Sequence, residues 1–179
     1  MSAALGLRSG MPLMRCIILA FLFALSPMLE AASPVVRPAP DFSYPGIGGT
    51  KGLRSLRGRP VVVIVAKSAK TKAFRKQLER IAEIYHEFAS RNTVFVCAFS
   101  EAPGTVPSNI PFVVTNNGPS VAAAYGMKDD FAIGIVGTDG NLDLTTQNVL
   151  PAFRIREVIL NSFPVQNNAR KQLPKGPLR

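Results

Sequence analysis

Few residues in this chain of 179 are equipped for chemistry, and those few stand far apart. There are two cysteines, Cys16 and Cys97, and one histidine, His86. Disulfide exchange needs one thiolate to attack and a second thiol to resolve the mixed disulfide. Cys16 falls in an apolar N-terminal run, and Cys97 falls in TVFVCAF, which reads as a buried strand. Apolar surroundings raise a thiol's pKa and make it a poor nucleophile, so Cys97 reads as a small core residue. One histidine and no cysteine pair leave a zinc site short of ligands. A Ser-His-Asp triad would have to use His86, and the chain has no Gly-x-Ser-x-Gly elbow. The glycines at 46–49 lack the Lys-Ser/Thr ending of a phosphate loop, and no cofactor is expected. Asp129 and Asp130, adjacent in a turn, read as solvated carboxylates.

The densest chemical feature is cationic. Lys70, Lys72, Arg75 and Lys76 crowd the start of a predicted helix, with Lys67 and Ser68 just before it. A helix N-terminus already carries about half a positive charge and unpaired N–H groups, so each added cation costs up to about 1 kcal/mol at low salt. The same features attract anions. These six residues are a candidate anion-binding site, and the alternative is a solvated basic face made inexpensive by screening. Nine Lys/Arg and no acid lie between positions 51 and 78, the C-terminal tail adds Arg170, Lys171, Lys175 and Arg179, and the net charge is +10. Such charge suits an anionic ligand or an acidic protein surface, or simply keeps the chain soluble.

These residues need elements to hold them. Residues 61–65, VVVIV, show no polar alternation and predict a central strand covered on both faces. Residues 71–90 predict one helix with an apolar stripe at Phe74, Leu78, Ile81, Tyr85 and Phe88. Residues 93–99 predict a second buried strand, and 111–115 a short third strand at an edge. Residues 118–125 predict a short Ala-rich helix with Gly126 as its C-cap. Two apolar runs, 132–137 and 142–144, flank Asp139-Gly140 and predict a hairpin. Residues 153–163 predict a last amphipathic helix, while the glycine-rich 41–60 predict turns anchored by Leu53 and Leu56. Strands alternating with helices and closing in a hairpin make an α/β fold: a mixed sheet with helices on both faces.

Several short motifs in this order resemble the redoxin branch of the thioredoxin-like superfamily, the peroxiredoxins and periplasmic thioredoxin-like proteins. Pro40-Asp41-Phe42 resembles the "PDF" opening. Leu53 and Leu56 followed by Arg57-Gly58-Arg59-Pro60 resemble the family's lead into its central strand. Ala123-Ala124-Tyr125-Gly126 resembles the end of its middle helix, and residues 133–141 its hairpin. The resemblance spans residues 40–163 and implies a three-layer thioredoxin-like fold with a redox site at the strand–loop–helix junction. It also implies that this site is degenerate. The register Phe74-Arg75-Lys76-Gln77-Leu78 matches Cys-Arg-Lys-x-Leu, which puts Thr71 and Phe74 at the two cysteine positions. The peroxiredoxin pattern Pro-x-x-x-Thr-x-x-Cys meets Lys67, Thr71 and Phe74. The family's cis-proline corresponds to Phe131, where a cis bond would cost about 2.5–4 kcal/mol, so a trans bond is expected.

The ends of the chain set its expected organisation. Arg8 and Arg15 precede the apolar run 16–25, and small residues follow at Ala31, Ala32 and Ser33. A positive flank, a short apolar run and a small-residue exit describe a signal peptide over 1–31. The run is short of the roughly 20 residues of a membrane span, although an uncleaved N-terminal anchor is the alternative. Residues 32–40 then read as a Pro-rich linker, 41–164 as the thioredoxin-like domain and 165–179 as a disordered basic tail. Secretion or a periplasmic location follows, which disfavours nucleic acid as partner. The expected role is a non-catalytic binding or scaffold module. The alternatives are a thiol-dependent oxidoreductase or peroxidase-like enzyme using Cys97 or another, unrecognised group, and a basic binder of anionic surface polymers.

Overall fold

Val61–Ala66 is β3, six residues all buried, and the rest of the fold is laid down on either side of it. A computed structural model describes residues 37–101, 106, 108–162 and 164–165. The chain divides into two units, Met1–Val35 and Val36–Arg179, and every described residue belongs to the second. The expected signal peptide and all of the expected tail beyond Val165 lie outside the described residues.

A two-stranded hairpin, β1 (Ser43–Gly46) and β2 (Gly49–Gly52), comes first, followed by a 3-10 turn at Leu53–Leu56. After β3 come helices α1 (Lys72–Glu83) and α2 (Tyr85–Ala89), then β4 (Val94–Phe99) and β5 (Phe112–Val114). Helix α3 (Gly118–Ala124), β6 (Phe131–Val136), β7 (Leu142–Thr146) and α4 (Ala152–Leu160) complete the order. The main sheet runs β5-β4-β3-β6-β7. β4 is parallel to β3 and β5 parallel to β4, whereas β6 is antiparallel to β3 and β7 to β6.

The absence of polar alternation in β3 has the expected consequence. Val62, Ile64 and Ala66 face one core with Phe74, Leu78, Ile81 and Phe88 from α1 and α2 and Ile155 and Ile159 from α4. Val61, Val63 and Val65 face a second core with Phe42, Leu53, Leu56 and, from the α3 side, Val121 and Tyr125. Burying one such side chain fully stabilises the fold by roughly 1.5–3 kcal/mol, so both faces of the sheet are driven shut. The result is three layers, with a mixed sheet between helices.

Three details depart from the sequence reading. The helix expected over 71–90 breaks at Ile84, whose φ of −131° and ψ of 32° leave the helical region. The break sets both Tyr85 and Phe88 against Phe95, at ring-centroid distances of 6.1 and 5.6 Å. Residues 41–60 hold the β1–β2 hairpin as well as turns; glycine-rich strands carry no apolar alternation to announce them. Finally, the end of the expected linker is tied down. Ala39 N–H donates to Gly140 O at 3.0 Å, Leu142 N–H to Arg37 O at 2.8 Å, and the Tyr125 hydroxyl to Pro40 O at 3.1 Å.

Candidate functional site

The junction of β3 and α1 is built by short-range hydrogen bonds. Lys67 N–H leaves β3 by donating to Asp130 O at 3.1 Å. Ser68 then closes the loop: its N–H donates to Thr71 Oγ1 at 3.3 Å, its carbonyl accepts Thr71 N–H at 3.1 Å, and its Oγ accepts Lys70 N–H at 3.3 Å. Thr71 is the N-cap of α1, but its hydroxyl is turned back to Ser68 and no side chain caps the helix. The first turn of α1 contains no acidic residue.

Thr71, Phe74 and Phe131, the three positions singled out by the sequence resemblance, all lie at this junction. Thr71 is half-buried at the N-cap, and Phe74, three residues on, is fully buried. The Phe74 ring meets Phe99 edge-on at 5.2 Å. Phe131 opens β6 opposite Ala66, the last residue of β3, and is buried in the same core as Phe74. No peptide bond among the described residues is cis, that of Phe131 included. A hydroxyl and two phenyl rings therefore occupy these three positions.

The cations lie around this junction. Lys67, Lys70, Lys72, Arg75 and Lys76 are all exposed, and Ser68 is half-buried. Lys67 Nζ is 3.8 Å from Glu101 Oε1, a solvent-exposed pair that contributes little to stability. The other four form no ion pair among the described residues. Cys97 is remote from solvent: it sits in β4 between Ile64 and Val114, and burial pushes its thiol far above the usual range. His86 is exposed on α2, and Asp129 and Asp130 are exposed before β6. Among the described residues no group of three His, Cys, Asp or Glu side chains is placed to hold a metal.

Sequence reasoning passed over one buried polar residue of this helix. Gln77 is wholly buried; its Nε2 donates to Leu150 O at 3.0 Å and its Oε1 accepts Leu150 N–H at 2.8 Å. It thereby ties α1 to the segment leading into α4. Its spacing was the available signal, since 74, 77, 78 and 81 share one helical face.

A central strand, a helix, a parallel strand beside the first and an antiparallel hairpin on its other side, with helices on both faces of the sheet, make the thioredoxin-like fold, and this chain has it. Similar solved structures include a thiol:disulfide interchange protein of the thioredoxin family from Chlorobium tepidum TLS, at 18% identity and TM-score 0.55, covering 73% of this chain and 100% of that one. The exposed lipoprotein thioredoxin Etrx1 of Streptococcus pneumoniae strain TIGR4 is 18% identical at TM-score 0.51, covering 67% and 98%. Peroxidoxin BcpB of Mycobacterium tuberculosis is 17% identical at TM-score 0.52, covering 70% and 92%. At these identities the likeness is one of fold. Neither a family model nor a curated protein matches the sequence. No helix among the described residues is long and apolar enough to cross a membrane.

Proposed function

We propose that this chain is an exported thioredoxin-like domain whose redox site has been lost and that it acts as a non-catalytic binding or scaffold module. The observation that carries the reading is Phe74: a fully buried phenyl ring, packed on Phe99, occupies the helix position at which a resolving thiol would stand. Thr71 at the N-cap has a hydroxyl engaged with Ser68 and no redox couple. Export is supported by the apolar run 16–25 with its small-residue exit. It is in keeping with the likeness of this fold to an exposed lipoprotein thioredoxin. The anion-binding role of Lys70, Lys72, Arg75 and Lys76 belongs to the same proposal, since they surround a helix end with free N–H groups.

The purified protein is expected neither to reduce insulin disulfides nor to consume peroxide with a thiol reductant. Cys97→Ser is expected to fold and to change neither result. Peroxide turnover that disappears in Cys97→Ser would establish the thiol-dependent alternative instead. Binding to polyphosphate, compared between Lys70→Glu/Lys72→Glu and a chain ended at Val165, locates the anionic contact. Loss in the helix variant supports the α1 mouth, and loss only on tail deletion assigns binding to the basic tail.

A further inference from the structure

A second group of cations lies at the other end of the sheet. Arg54 lies on the 3-10 turn that follows β2, and Arg57 is the residue that ends it. Both line a cleft whose remaining walls include Pro38, Ala39, Leu53 and Gly140. The walls come from three separate pieces of chain, and backbone hydrogen bonds fasten them. Ala39 N–H donates to Gly140 O at 3.0 Å, Gly58 N–H to Thr138 O at 2.9 Å, and Leu53 N–H to Phe42 O at 3.2 Å. Gly140 has a φ of 85°, and a Cβ built there would lie 3.6 Å from Arg57 Nε, so this guanidinium is laid along the β6–β7 turn. The cleft also has one carboxylate, Asp41, whose Oδ1 is turned to the N–H groups of Phe42 at 2.9 Å and Leu53 at 3.0 Å; it offsets one of the two guanidinium charges and leaves the cleft net positive. Neither arginine forms an ion pair among the described residues.

We propose that this cleft binds a small organic anion: a carboxylate or phosphate ester on a short apolar body. Guanidinium forks match both oxyanions bidentately and lose less freedom than lysine on doing so. Pro38, Ala39 and Leu53 supply the apolar wall for the body. Because the walls are fastened before any ligand arrives, binding costs little reorganisation. The site is independent of the α1 mouth. It adjoins the β6–β7 turn beyond Val136, which pairs with Val61 at the start of β3, whereas α1 follows Ala66 at its end. A strand of that length separates them by about 17 Å.

The test is an amide chemical-shift titration of the full-length protein with isobutyrate and, separately, phenyl phosphate. Saturable shifts are expected at Ala39, Arg57 and Gly140, and the probe that saturates at lower concentration identifies the preferred oxyanion. Arg54→Gln/Arg57→Gln keeps polar, exposed side chains, and its spectrum reports directly that it is folded. Its affinity is expected to fall about tenfold or more, as loss of charge-assisted hydrogen bonds requires. Lys70→Glu/Lys72→Glu is expected to bind within about twofold of the parent, since screening isolates charges that far apart. Non-saturable shifts with both probes, unchanged affinity in the arginine variant, or shifts confined to the start of α1 would each overturn the proposal.

Discussion

Phe74 and Thr71 differ in what they do at the β3–α1 junction. Phe74 fills the core beneath it; Thr71 only closes a loop. If the proposed register is right, cysteines at both positions should form a disulfide, because the proposal places the redox pair of thioredoxin-like proteins at the N-cap and third residue of this helix. Thr71→Cys/Phe74→Cys is therefore expected to form an intramolecular disulfide, read by mass after alkylation. The thiol at 71 should be acidic relative to the ordinary value near 8.5, with a helix N-terminus and lysines beside it. The variant should also melt earlier, since truncating a buried phenylalanine typically costs about 3–5 kcal/mol. Two thiols that stay free under oxidant would show the register to be wrong. At this scale much was legible: Phe74, Leu78 and Ile81 announced their burial by spacing alone. Gln77 shared that spacing, but a polar side chain in a helix reads as surface until its backbone partner at Leu150 is seen.

Among the elements, the hydrophobic runs spoke most clearly. Val61–Ala66 and Val94–Phe99 are uniformly apolar and became the paired centre of the sheet. The β1–β2 hairpin and the break at Ile84 were silent, since one is stabilised by backbone pairing and the other by where two rings must land. The β6–β7 hairpin was announced by Asp139-Gly140, yet its electrostatics were not. A Cβ on Gly137 would lie 2.7 Å from Asp143 Oδ2 and 2.9 Å from Asp139 Oδ1, so the two carboxylates crowd one glycine. Partial burial and the charge of Asp139 push the Asp143 carboxyl up to about 6. The folded state thus holds that proton more tightly than the unfolded chain. The associated stabilisation is fully present below about pH 4 and is lost as pH rises through about 6. Asp143→Asn is expected to melt higher than the parent at pH 7 and to match it near pH 4. Glu87 works in the opposite sense: the hydrogen bond from Arg156, at 2.9 Å, lowers its pKa, so that contact is lost in acid. A thermal-melt series over this range separates the two, because only the Asp143 contribution vanishes in the asparagine variant.

Among the described residues the main sheet separates two cores, and its two ends carry separate basic groups. The sheet also has two edges. β5 is only three residues long and follows Pro111, which has no N–H to offer. β7 is longer, but the incoming chain lies against its start: Pro38 bridges Asn141, and Leu142 N–H is taken by Arg37 O. A free sheet edge is a template on which another copy can add a strand, and such edges are blunted by shortness, proline or a cover. The stretch Arg37–Ala39 thus does more than lead into the domain; it covers the start of the more vulnerable edge. A chain beginning at Pro40 should keep its helical and strand content by circular dichroism yet form larger species in light scattering as concentration rises, whereas one beginning at Pro34 should stay monodisperse. For a protein carrying this many cations, the first failure on losing this leading segment would be aggregation through backbone, which like charge resists only weakly at high salt.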